Sequence, residues 1–170
     1  MPALSPAAAG ALGAPPSAHR AVRTMTPGPG PSPDSADLML VHRREDVDRA
    51  VRTVLDALTR HGYSESSRFA VRLAIEEALS NAFKHGHKGL PDTTPVRFSY
   101  AAGPAQLRLV VQDQGPGFDP QAVPDPTLDE NLEMPSGRGL MLIRAYMTSV
   151  EFNESGNRLT MTYTKPPAKA

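Results

Sequence analysis

The spacing of apolar residues changes near residue 90 of this chain, and that change limits the folds open to it. Residues 45–62 carry apolar side chains at positions 47, 51, 54, 55 and 58, the 3.6-residue period of an amphipathic helix. Residues 64–86 predict a second helix, which begins at serines that can cap it. Residues 95–102 and 105–113 then alternate apolar and polar side chains around Gly103-Pro104, which predicts a β-hairpin.

Further segments complete the pattern. Residues 37–42 predict a first strand, residues 139–147 a third helix, and residues 149–154 and 158–165 a second hairpin around Gly156-Asn157. No internal repeat is present. Helices on one face of a mixed, mostly antiparallel sheet give a two-layer α/β sandwich, so the predicted fold class is α+β.

Proline content separates a predicted tail from a predicted domain. Eight of the 18 prolines fall within residues 1–36, together with four glycines. Because this segment has little bulky apolar surface to bury, we expect it to be disordered. Residues 37–165 then form the predicted domain, and residues 166–170 a short C-terminal tail.

Composition disfavours several classes of function. Lys+Arg and Asp+Glu both number 18, and this zero net charge argues against electrostatic binding of nucleic acid or anionic lipid. The absence of cysteine excludes disulfides and cysteine-based zinc sites. No apolar run approaches the roughly 20 residues of a membrane span. The Ala-rich start is interrupted by Pro and Gly and has no basic residue before Arg20, so we expect a cytoplasmic protein without an export signal.

The second predicted helix has polar side chains at one margin of its apolar stripe. At about 100° per residue the stripe faces the sheet, and it comprises Val71, Ile75, Ala78, Leu79 and Ala82. Glu77 and Asn81 are four residues apart and therefore neighbours on the margin. A solvated helix edge would also explain them. His85 and His87 do not share a face and have no evident third partner, which disfavours a metal site there.

Two glycine-rich stretches are each compatible with a ligand. Asp113 ends a predicted strand and is followed by Gly115 and Gly117, which suits either a turn or a backbone that approaches a ligand closely. Gly137 and Gly139 open the third helix, whose unpaired N–H groups suit phosphate. The stretch lacks the Lys-Ser/Thr ending of a P-loop.

Together, the three segments resemble the Bergerat ATP-binding fold of gyrase, histidine kinases and mismatch-repair ATPases. The order is Glu-x-x-x-Asn on a helix, Asp-x-Gly-x-Gly after a strand, a polar lid, and Gly-x-Gly opening a helix. AIEEALSNAFKHGH, DQGPGFDP and GRGLMLI are most similar to the corresponding boxes of the small anti-sigma factors that are serine-protein kinases. The resemblance covers about residues 38–165.

This resemblance implies roles for individual residues. Asn81 would be the side-chain ligand of Mg²⁺, with ATP phosphates and water at the other positions. Glu77 would be the catalytic general base. Asp113 would accept a hydrogen bond from the adenine amino group, while Gly115 and Gly117 would let the backbone lie close to the base.

The resemblance also assigns the phosphate side of the site. Residues from about 119 to 136 would form a mobile ATP lid. The phosphates would be covered by the backbone N–H groups of Gly137, Arg138, Gly139 and Leu140. Arg138 would add positive charge near the γ-phosphoryl group, or be a solvated lid arginine. Ile75 and Ile143 would wall the adenine, although plain core positions would also explain them.

The implied function is that of an ATP-dependent serine/threonine protein kinase acting as an anti-sigma factor. Such a protein phosphorylates an anti-anti-sigma (STAS-type) protein and sequesters a sigma factor, and relatives suggest a homodimer. A histidine kinase needs a helical hairpin with a phosphoacceptor His, which the Pro/Ala-rich residues 1–36 are not expected to form. The alternative is a nucleotide-gated protein-binding module without phosphoryl transfer, which has no need of Glu77.

Overall fold

The computed structural model describes residues 34–119 and 138–167, in which helices cover one face of a five-stranded sheet. The predicted types and order of elements are confirmed, and the first strand begins two residues earlier than predicted. The strands are β1 Ser35–Leu40, β2 Val96–Ala102, β3 Gln106–Gln112, β4 Ser149–Phe152 and β5 Arg158–Thr164. The helices are α1 Arg44–Arg60, α2 Glu65–Asn81 and α3 Arg138–Tyr146.

The strands are arranged in the order β1-β2-β3-β5-β4. The sequence predicted a mixed, mostly antiparallel sheet, and every pairing among the described strands is antiparallel. β5 pairs with β3, and β4 lies at the edge beyond it. The loop after β3 therefore meets the β4–β5 turn, where Asp113 N–H donates to the carbonyl of Asn157 at 3.0 Å.

Burial alternates along the strands, as expected for a sheet that is covered on one face. In β2 the side chains of Val96, Phe98 and Tyr100 are buried, whereas Arg97 is exposed. The predicted stripe of α2 packs on this covered face. All of its members are buried: Val71, Ile75, Ala78, Leu79 and Ala82.

The ends of the helices follow local rules. Ser64 caps α2, because its Oγ accepts the N–H of Ser67 at 3.1 Å. α1 ends at Arg60, and Gly62 beyond it has a φ of 68°, the left-handed conformation that glycine adopts readily. In the described part of the chain no helix has both the length and the apolarity needed to cross a membrane.

After Asn81, α2 continues as a π-helical turn over Ala82–Gly86. The N–H of His87 donates to the carbonyl of Ala82 at 3.0 Å, one residue further back than in an α-helix. Single π-helical turns of this kind occur frequently at functional sites.

We expect Phe98→Ala to lower the free energy of unfolding by about 3–5 kcal/mol, because Phe98 is fully buried and its loss leaves a cavity. Arg108→Ala, on the exposed face of the sheet, should change stability by at most about 0.5 kcal/mol. Urea unfolding of both variants measures this. Similar losses from both would contradict a sheet that is covered on one face.

Candidate functional site

The first turn of α3 lies directly against Glu77 and Asn81 of α2. A Cβ added to Gly139 would lie 2.6 Å from Oε2 of Glu77 and 3.4 Å from Nδ2 of Asn81. A Cβ at position 139 would therefore displace the carboxylate of Glu77 from its present position. The first and third of the predicted segments are therefore in contact.

Glu77 and Asn81 are both partly exposed. Within residues 34–119 and 138–167, neither side chain has a hydrogen-bond or ion-pair partner. The neighbouring Glu76 is different, since its Oε1 accepts a hydrogen bond from Nε of Arg72 at 2.9 Å, on another face of the helix. The carboxylate of Glu77 and the amide of Asn81 are thus available side by side.

Asp113 is held at the end of β3 by its own backbone and by the turn that follows. Its Oδ1 accepts the N–H of Gly115 at 2.8 Å. Gly86, at the end of the π-helical turn, lies against the same carboxyl group, and a Cβ on Gly86 would overlap it. Gly115 in turn packs on the carbonyl of Gly86 without room for a side chain. The first and second segments therefore meet through two glycines.

Gly117 fixes the same loop to the β4–β5 turn. Its φ is 75°, and a side chain there would collide with the carbonyl of Ser155. Next to it, Phe118 meets Phe152 of β4 edge to face, with ring centroids 5.0 Å apart. Backbone conformation and lack of space both require glycine at position 117.

These contacts surround a cavity of about 460 Å³, within the range of small-molecule sites. Four of the residues with a predicted binding role line it: Asn81, Asp113, Gly117 and Leu140. Gly115 and Gly139 set the distances between the segments around it. The wall is mainly apolar and also includes Ala78, Ala82, Val111, Phe118, Phe152 and Leu159.

The electrostatics of Asp113 suit a ligand that donates a hydrogen bond. Burial raises the pKa of this carboxyl group, and the N–H of Gly115 and the nearby His87 only partly oppose that effect. Its second oxygen, Oδ2, receives no hydrogen bond from any other described residue. A half-buried carboxylate with a spare acceptor in an apolar cavity can read an amino group on a bound molecule.

One expectation about the apolar wall is corrected. Ile75 and Ile143 are fully buried members of the core and do not line the cavity. The cavity lies beside the margin of α2 that carries Asn81. Ala78 and Ala82 therefore face it, whereas Ile75 faces the sheet.

Sequence reasoning missed several residues of the site. Phe118 lies inside DQGPGFDP, so its position in that stretch could have indicated it. Phe152 carried no such signal, because β4 is short and strand alternation does not reveal a cavity. Lys88 and His85 also line the cavity. His87, by contrast, is buried and accepts a hydrogen bond from the N–H of Gln114, so the two histidines have different environments.

Part of the predicted site lies outside the described residues. This applies to Gly137, to the predicted lid apart from its first residue, and to the side chain of Arg138. The corresponding roles stay predictions.

The profile of the histidine kinase-like ATPase domain family matches residues 40–163. The serine-protein kinase RsbW of Bacillus licheniformis is 30% identical over 122 residues, which cover 66% of this chain and 74% of that protein. The protein of the same name from Staphylococcus epidermidis is 28% identical over 135 residues, 75% of this chain and 85% of that protein.

A solved structure has a similar fold. The crystal structure of the RsbU and RsbW domains of Rv1364c from Mycobacterium tuberculosis aligns with a TM-score of 0.55 at 19% identity. The alignment covers 82% of this chain and 34% of that chain, so this protein spans about a third of its length.

We expect the stability of Asp113→Asn, relative to that of the unchanged protein, to increase as pH rises above about 4, the ordinary pKa of aspartate. Because the native state raises the pKa of Asp113, it binds this proton more tightly than the unfolded state. Its stability therefore falls as pH rises from the unfolded to the native pKa, and then levels off. Urea unfolding from pH 4 to pH 7 without ligand measures the difference, and a constant or shrinking difference would contradict it.

Proposed function

The chain belongs to the histidine kinase-like ATPase domain family, and from that premise we propose that it is an ATP-dependent serine/threonine protein kinase and anti-sigma factor. It would phosphorylate a STAS-type anti-anti-sigma protein and sequester a sigma factor. The contact of Gly139 with Glu77 and Asn81 beside the cavity carries this proposal. Two similar proteins named serine-protein kinase support it.

ATP fits the chemistry of the cavity. Its adenine would lie between apolar side chains, and the free Oδ2 of Asp113 would accept a hydrogen bond from the amino group of the base. GTP carries a carbonyl oxygen at that position, and two acceptors would then face each other. A buried polar group that is left unpaired in this way is a strong source of selectivity.

The residues at the rim also suit a hydrated magnesium ion. Mg²⁺ commonly takes one or two protein oxygen ligands and completes its shell with phosphate oxygens and water. The amide oxygen of Asn81 would be such a ligand. When bound, the ion neutralises negative charge on the phosphates.

Glu77 would act on the attacking hydroxyl group. Its carboxylate would take the proton of the partner's Ser or Thr while the hydroxyl oxygen forms a bond to the γ-phosphorus. The bond from that phosphorus to the β–γ bridging oxygen breaks, and ADP leaves. The N–H groups at the start of α3, from Gly139 and Leu140, would bind phosphate oxygens, as would those of Gly137 and Arg138.

Glu77→Gln should lower phosphoryl transfer by roughly 10²–10⁴-fold, because it removes the base, while MgATP binding is kept. The measurement is transfer of label from γ-labelled ATP to candidate anti-anti-sigma proteins of the same genome. Glu76→Gln is the matched control, since Glu76 pairs with Arg72 on another face and its loss should leave transfer unchanged.

Asn81→Ala should instead abolish the stabilisation by MgATP, which amounts to about 2.7 kcal/mol at a hundredfold excess over Kd. Thermal unfolding with and without MgATP measures it. If the unchanged protein binds ATP but labels no candidate partner, the result favours a nucleotide-gated binding module. Equal transfer by Glu77→Gln would overturn the assignment of the base.

Gly139→Ala separates activity from stability at the same contact. Ala is favoured over Gly in helices by up to about 1 kcal/mol, and the atom it would strike is the mobile end of Glu77. We expect an unchanged or higher melting temperature and a transfer rate lowered by up to about 10²-fold, since the base is displaced. Gly103→Ala, in the β2–β3 turn, is the control, and full transfer by Gly139→Ala would contradict the role of this contact.

A further inference from the structure

His87 is a buried histidine that the mechanism above does not use. It follows the π-helical turn directly and is only 8% exposed. Its Nε2 accepts the backbone N–H of Gln114 at 3.2 Å. Gln114 is the residue between Asp113 and Gly115, whose N–H binds Oδ1 of Asp113. The imidazole therefore contacts the middle of the turn that holds the base-reading carboxylate.

The ring of His87 is held in this orientation from several sides. Phe83 and the imidazole form a T-shaped pair with centroids 5.9 Å apart, and His42 stacks on Phe83 with centroids 4.8 Å apart. The backbone of His87 donates to Ala82, and its carbonyl accepts the N–H of Leu90 at 2.9 Å. Because Nε2 accepts, the neutral ring carries its proton on Nδ1.

We propose that His87 is a positioning residue for base recognition: its neutral imidazole holds the Gln114 amide and thereby keeps Asp113 aimed into the cavity. Protonation of His87 removes that acceptor, and the selectivity for a 6-amino purine is lost with it. This inference rests on the proposed binding of ATP at the same cavity.

The chemistry of the two protonation states differs at this point. Imidazole is the side chain that ordinarily changes charge between pH 5 and 8, and the imidazolium ion has two donors and no acceptor. A donor at Nε2 would then face the N–H of Gln114, which is also a donor. The imidazolium would be drawn towards the carboxylate of Asp113, with which His87 interacts electrostatically. It would thus compete with the ligand for the group that reads the base.

The other titratable groups around His87 are few in the described residues. Asp113 faces it from the loop after β3, and His42 lies beyond Phe83 in the loop after β1. On its own segment, Lys84, His85 and Lys88 are exposed. Asp113 also loses its charge at low pH, so a test of His87 needs a variant that keeps Asp113 but cannot titrate at position 87.

His87→Gln meets this need, because an amide oxygen can accept the N–H of Gln114 at any pH. His87→Leu fills similar space without an acceptor. We would measure the affinities for ATP and for purine riboside triphosphate, which is ATP without the amino group, with Mg²⁺ from pH 5 to pH 8. The ratio of the two affinities isolates recognition of the amino group, because both ligands carry the same phosphates.

Between pH 8 and pH 5 the preference for ATP over purine riboside triphosphate should fall further in the unchanged protein than in His87→Gln. The extra fall should be up to about tenfold, the effect of one hydrogen bond. His87→Leu should have the low ratio throughout. A purely structural role would change stability without this difference in pH profile. Identical profiles for the unchanged protein and His87→Gln would overturn the inference, whereas a protein that binds no ATP at any pH would overturn the proposed function.

A measurement on the unchanged protein needs no folded variant. In NMR spectra, the amide proton of Gln114 should shift upfield as the His87 ring becomes protonated, with the same midpoint, because its hydrogen bond is lost. An amide resonance that is insensitive to the titration of the His87 ring would overturn the inference.

Discussion

Close packing between the start of α3 and the polar margin of α2 is the contact on which the site depends. Gly139 brings a helix N-terminus within van der Waals distance of Glu77 and Asn81. The unpaired N–H groups of a first helical turn attract anions, whereas the carboxylate of Glu77 repels them. A side chain at position 139 would displace the carboxylate of Glu77. The same contact thus places groups with opposite electrostatic preferences next to each other, which suits the proposed phosphoryl transfer.

The antiparallel sheet supplies the second half of the site at the end of β3. β5 pairs with β3, so the β4–β5 turn supports the loop that carries Asp113. Glycines at positions 86, 115 and 117 let three backbone segments meet there without intervening side chains. Asp113 is half-buried as a result, and the cost of burying its charge is visible in its raised pKa. A carboxyl group kept in an apolar cavity at such a cost is typical of a binding site.

Much of this arrangement could be predicted from the sequence, because local patterns determine it. The 3.6-residue period placed the buried stripe of α2, and helical spacing alone made Glu77 and Asn81 neighbours. For Ile75 and Ile143 the sequence did not decide between a place in the core and a place in the cavity wall. The position of the cavity around α2 depends on where the sheet ends. The pairing of Phe118 with Phe152 was equally inaccessible, since it joins residues that are distant along the chain. Local rules do not contain such tertiary contacts.

The π-helical turn after Asn81 explains how one segment can serve both ends of the cavity. The α-helical part of α2 presents Glu77 and Asn81 at α3. The extra residue in the following turn changes the phase of the side chains, and Gly86 and His87 then meet the Asp113 loop. A regular α-helix would pair the N–H of His87 with Phe83 and would rotate both residues away from these positions. The widened turn therefore couples the proposed site of base recognition to the helix that carries the proposed catalytic groups.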